Sequence, residues 1–91
     1  MKISVKIPAL LVHCTNKRTV VEIDANTLSG ALDTLLIDYP LLKPHLFNDK
    51  GIQREHVLIF LNEENIDWLD DPDIALKSGD RMTILQAVSG G

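Results

Sequence analysis

The sequence predicts a two-layer α+β domain in which a mixed sheet of four to five strands carries one main helix on one face. Three observations predict it. Residues Lys2–Ile7 and Arg18–Ile23 alternate apolar and polar positions with period two, and Met82 and Ile84 keep that spacing in the last strand, Arg81–Val88. Leu28, Ala31, Leu32, Leu35 and Leu36 repeat at helical spacing. His56–Leu61 is a nearly continuous apolar run. The chain has 91 residues, the size of one domain, 1–91, with no internal repeat, linker or low-complexity tract.

The first strand is Lys2–Ile7, with Ile3, Val5 and Ile7 on its buried face. Pro8 ends the alternation, and Ala9-Leu10-Leu11-Val12 continues irregularly to a turn at Thr15-Asn16-Lys17. Arg18–Ile23 pairs back as the second arm of a hairpin, with Thr19, Val21 and Ile23 opposed to Val20 and Glu22. Asp24-Ala25-Asn26-Thr27 offers N-cap residues for a helix over Leu28–Asp38. Gly30 costs that helix up to about 1 kcal/mol relative to Ala, and Pro40 stops it.

Residues 40–55 form a long connection in which Leu41, Leu42, Leu46 and Phe47 make a short helical turn packed under the core, followed by a turn at Asn48-Asp49-Lys50-Gly51. The apolar run His56–Leu61 reads as a strand covered on much of both faces, hence central in its sheet. Asn62-Glu63-Glu64-Asn65 is a tight turn, Ile66–Trp68 a short edge strand, Ser78-Gly79-Asp80 a turn, and Arg81–Val88 the last strand.

Composition narrows the function. Hydrophobic residues make up 45% and charged residues 24%, which argues for a globular chain rather than a disordered one. The net charge of -4 argues against nucleic acid, whose binders neutralise phosphates with Lys and Arg. With only Tyr39, Phe47, Phe60 and Trp68, an aromatic stacking platform is also unexpected. So small a domain has little room for a deep substrate pocket, which favours a binding or carrier module over an enzyme. A single cysteine, Cys14, fits a reducing compartment. No apolar run approaches the ~20 residues of a membrane span, and the N-terminus lacks signal-peptide character. The expectation is a soluble, cytoplasmic protein.

Charge is uneven. Residues 1–45 carry five basic and four acidic groups, residues 46–91 four and nine. Glu63, Glu64, Asp67, Asp70, Asp71 and Asp73 follow one another with no intervening cation. The run reads as a solvated loop, or as a surface that steers docking onto a basic partner. It lacks the spacing and central glycine of a calcium loop. His13-Cys14 is the one pair with nucleophile or metal character, but His45 and His56 lie far away in sequence and no CxxC spacing exists. No metal site is expected, and Cys14 reads as structural or incidental, with sulfur storage on its thiol as the alternative. No glycine-rich phosphate loop and no acid/base carboxylate pair is present, so no catalytic residue and no cofactor is expected.

The chain ends Leu85-Gln86-Ala87-Val88-Ser89-Gly90-Gly91. Glycine lets a backbone pass where a Cβ would clash. A flexible tail over residues 86–91 could reach roughly 20 Å at ~3.3 Å per residue, enough to enter a narrow site on another protein. Alternation places Thr83 and Leu85 on the open sheet face, and Leu58 and Phe60 with them if Val57, Ile59 and Leu61 point at the helix. An apolar patch of Leu58, Phe60, Leu85, Ala87 and Val88 beside the tail would dock a partner.

The element order, the turn Leu76-Lys77-Ser78-Gly79-Asp80 and the ending Val88-Ser89-Gly90-Gly91 together resemble the β-grasp, ubiquitin-like sulfur carriers of the ThiS/MoaD type. Ile7-Pro8, the long helix-to-strand connection and the His56–Asn62 strand are most similar to the CysO-like branch of cysteine biosynthesis. One departure is Gln86, where related tails commonly carry proline. The resemblance implies that the Gly91 carboxylate, borne on the tail Ser89, Gly90 and Gly91, is adenylated by a ubiquitin-activating-type enzyme using ATP. Sulfide from a donor such as a sulfurtransferase then displaces AMP. The resulting thiocarboxylate is handed to a sulfur-accepting biosynthetic enzyme for cysteine, thiamine, molybdopterin or another product. In the cysteine branch a zinc-dependent peptidase trims the tail. A ubiquitin-like modifier joined through Gly91, and a plain interaction module, are the alternatives.

Overall fold

The computed structural model describes residues 1–71 and 73–86. The strands are β1 (Lys2–Lys6), β2 (Val20–Asp24), β3 (Val57–Leu61), β4 (Glu64–Asn65) and β5 (Arg81–Gln86). The helices are α1 (Leu28–Asp38) and the single turn α2 (Lys43–Leu46). The five strands form one sheet in the order β2-β1-β5-β3-β4. Only β1 and β5 run parallel; every other pair is antiparallel. This is the mixed sheet that the sequence predicts, crossed on one face by α1.

Alternation decides the faces. Ile3, Val5, Val21, Ile23, Val57, Ile59, Leu61, Met82 and Ile84 are all buried, and Leu28, Ala31 and Leu35 of α1 are buried in the same cluster. Thr27 caps α1: its Oγ1 accepts from Gly30 N at 3.1 Å. Leu28 N donates to Ile74 O and Leu76 N to Asn26 O, so the segment before β5 pins the start of the helix.

Four expectations change. Ala9–Thr15 is a 3₁₀ turn, not an irregular strand extension; it buries Leu11 and Cys14 and ends in left-handed Asn16 and Lys17. The edge strand is Glu64–Asn65, and Ile66–Trp68 is a 3₁₀ turn because Asn65 Oδ1 accepts from Asp67 N and starts it. In the long connection Leu42 and Leu46 are buried, whereas Leu41 is exposed. The central strand is β5, and β3 lies next to the two-residue edge strand. The apolar run of β3 therefore reflects a half-covered open face rather than a central position.

Candidate functional site

The register of β3 against β5 sets Leu58 opposite Leu85 and Phe60 opposite Thr83. Directly opposed residues share a face. The open face therefore carries Leu58, Phe60, Thr83 and Leu85, while Val57, Ile59, Leu61, Met82 and Ile84 turn to the helix. Leu58 and Phe60 are half-buried; Leu85 is 44% exposed. The row continues from Thr83 to Lys6 and from Lys6 to Val20, which is 51% exposed. Sequence reading missed Lys6 and Val20 as neighbours of this patch. Their signal was the alternation of Val20 with buried Val21, but only the parallel pairing of β1 with β5 brings them to the patch.

The other proposed site residues, Ala87, Val88, Ser89, Gly90 and Gly91, lie outside the described residues, as does most of the tail 86–91. The last described position is Gln86, paired with Val57 at the end of β5. Its Oε1 is buried without a partner among the described residues.

The acidic run sits at the other end of β5. Leu61 pairs with Met82 and Asn62 N donates to Arg81 O, whereas Gln86 pairs with Val57. An open cleft of about 660 Å³ lies at the Arg81 end, lined by residues including Glu63, Glu64, Lys77, Asp80 and Arg81. The cleft is open to solvent and is not a deep, enclosed pocket. The concavity exists, but as a surface groove at the end of β5 remote from Gln86. Sharing the second half of the sequence does not place the acidic groups beside Gln86. Two of them serve local structure: Ser29 Oγ donates to Asp73, and Asp73 N donates to Asp71 Oδ1. The Ser29 hydroxyl, with that of Thr27, lowers the Asp73 carboxyl pKa.

The expectation that His13-Cys14 stands apart from other histidines also fails in space. His13, Cys14 and His45 each present one ligand atom, all within 4.8 Å of one another. The imidazoles of His13 and His45 meet edge to face, with ring centres 5.5 Å apart. Cys14 is a free thiol whose Sγ donates weakly to Leu41 O at 3.6 Å, and burial pushes its pKa up. His56 is half-buried just before β3 and outside this cluster.

The model of the ThiS family matches residues 5–91. The chain belongs to the ThiS family. It is 29% identical to the sulfur carrier protein CysO of Mycobacterium tuberculosis, with 100% of each chain covered. The crystal structure of M. tuberculosis CysO superposes with a TM-score of 0.82 at 27% identity, covering 94% of this chain and 99% of that one. CysO in the BexX/CysO complex of Amycolatopsis orientalis gives 0.82 at 26% identity, covering 98% and 99%. SAMP1 of Haloferax volcanii gives 0.81 at 26% identity with both chains fully covered. These neighbours share the β-grasp architecture, and this ThiS-family chain has the same fold.

Proposed function

We propose that this chain is a sulfur carrier whose Gly91 α-carboxylate is adenylated by a partner and converted to a thiocarboxylate, in the service of cysteine or related sulfur amino-acid synthesis. One observation carries the reading: the chain corresponds over its full length to a protein named as a sulfur carrier. The chemistry is economical. A carboxylate, with a reference pKa of about 3.3–3.7, is ionised at neutral pH and acylates poorly. The carboxylate attacks the α-phosphorus of ATP, pyrophosphate leaves, and the mixed anhydride that results carries AMP as its leaving group. Sulfide attacks the carbonyl carbon, the C–O bond to AMP breaks, and AMP departs. The carrier is not itself a catalyst; ATP, positioning and charge neutralisation belong to the partner.

The partner set we propose is an adenylating enzyme of ubiquitin-activating type, a sulfurtransferase-like donor, an acceptor enzyme and a tail-trimming zinc peptidase. The relative solved as a BexX/CysO complex supports protein partnership as the mode of action. The open face of Leu58, Phe60 and Leu85, together with Ala87 and Val88, which follow it in sequence, is the docking surface in this reading. Among the described residues no helix is long and apolar enough to cross a membrane. The free Cys14 is compatible with a reducing cytoplasm.

Intact-mass spectrometry tests the reading. After incubation with the adenylating enzyme, ATP and sulfide, the chain gains the mass difference between sulfur and oxygen, and a chain lacking Gly91 does not. The similarity to SAMP1, a small archaeal modifier protein, defines the competing outcome. Ladders of higher mass on other proteins, without the sulfur-for-oxygen gain, would assign the chain to conjugation instead.

A further inference from the structure

We propose that His13, Cys14 and His45 form a binding site for one borderline-soft divalent cation, with Zn²⁺ the best fit. Three of the chain's four Cys and His residues meet here, although the 3₁₀ turn Ala9–Thr15 and α2 that supply them are separated in sequence by β2 and α1. One thiol and two imidazoles are the donor types that Zn²⁺ takes in tetrahedral sites, and three protein ligands leave a fourth position for water. Zn–S and Zn–N bonds of about 2.3 and 2.0 Å bring tetrahedral donors to about 3.5 Å apart. The ligand atoms already lie within 4.8 Å of one another. Exposed His13 and half-buried His45 have room to turn toward the buried Cys14. Among the described residues no carboxylate belongs to the cluster, which disfavours the hard cations Mg²⁺ and Ca²⁺. On binding, the S–H bond of Cys14 is replaced by a metal–sulfur bond and the proton leaves to solvent.

Position gives the site a consequence. β1 leads through Ile7-Pro8 into the turn that carries His13 and Cys14, and β5 runs parallel to β1. Both strands thus point their C-terminal ends toward the same end of the sheet. Arg54 N donates to Leu46 O, and Val57 N to Arg54 O, tying α2 to the Val57–Gln86 pair at that end. A bound cation would clamp the 3₁₀ turn to α2 at the end of the sheet from which the tail departs. The inference does not depend on sulfur carriage.

Titration of the full-length, reduced protein with Co²⁺ tests it. The expected result is a near-ultraviolet thiolate-to-cobalt charge-transfer band saturating at one equivalent and displaced by Zn²⁺. Cys14→Ser abolishes the band, and His45→Ala or His13→Ala weakens Co²⁺ binding at least about tenfold. His13 is exposed, so its variant folds; circular dichroism checks the other two. His56→Ala, outside the cluster, binds like the wild type. Absence of the charge-transfer band, or wild-type affinity in both His13→Ala and His45→Ala, would overturn the proposal.

Discussion

Asn62 Nδ2 donates to Asp80 Oδ1 at 3.1 Å, joining the turn before β4 to the turn before β5. Asn62 Oδ1 also accepts from Arg81 N, and the residue sits in the left-handed region at φ 56°. Asparagine tolerates that backbone better than most residues. We expect Asn62→Ala to cost about 2 kcal/mol, combining two lost hydrogen bonds with backbone strain. Asn62→Gly removes the bonds but not the fit to positive φ, and should cost about 1 kcal/mol. Urea unfolding of the two variants separates the contributions.

Asp80 makes the same junction pH-sensitive. Lys77 N donates to Asp80 Oδ2 at 2.7 Å; this bond first, and then the Asn62 amide, lowers the carboxyl pKa. A carboxyl lowered in the native state stabilises fully above its unfolded value, about 3.9, and that contribution is lost as pH falls through the native value. The expected outcome is a stability deficit of Asp80→Asn that is largest at neutral pH and shrinks below about pH 4. Denaturant midpoints measured across that range check it. Because Asp80 is only half-buried, solvent and salt screening keep the effect modest.

Local periodicity made much of this fold legible. The spacing of Leu28, Ala31 and Leu35 predicts α1 with its observed limits, and the alternation about Met82 and Ile84 predicts the two faces of β5. What was not legible depends on residues distant in sequence or on single side chains. The turn at Ile66–Trp68 follows from the Asn65 cap, which overrides three residues of strand-like composition. The central place of β5 follows from its parallel pairing with β1, which no local pattern encodes. The meeting of His13 and Cys14 with His45 depends on where the 40–46 connection packs. Chain distance carries no information about that.

Gly30 in the first turn of α1 looks like a defect by helix propensity alone. A Cβ built there would stand 3.0 Å from Thr27 Oγ1, the oxygen that caps the helix. Adding the methyl therefore gains up to about 1 kcal/mol of propensity but crowds the cap. Thr27→Ala alone should cost about 1 kcal/mol. Gly30→Ala should stabilise by about 1 kcal/mol in the Thr27→Ala background and by distinctly less in the wild type. Equal gains in both backgrounds would show that cap and glycine are uncoupled.

Leu85 is the sharpest test of the sheet face as a docking surface. It is 44% exposed opposite half-buried Leu58, at the Gln86 end of β5. Leu85→Glu places a charge in the middle of an apolar patch while leaving the buried Met82 and Ile84 untouched. An interface anchor of this kind contributes about 2 kcal/mol, equivalent to about a thirtyfold loss in kcat/KM for adenylation. The loss should appear as a raised KM for the carrier, because the reacting carboxylate is unchanged. Trp68→Ala supplies the contrast: Trp68 is 74% exposed but sits in the turn after β4, toward the opposite end of β3. Its removal should leave the kinetics unaltered, and thermal melts should show both variants folded. Equal kinetic effects of the two substitutions would remove the Leu58–Phe60–Leu85 face from the docking surface.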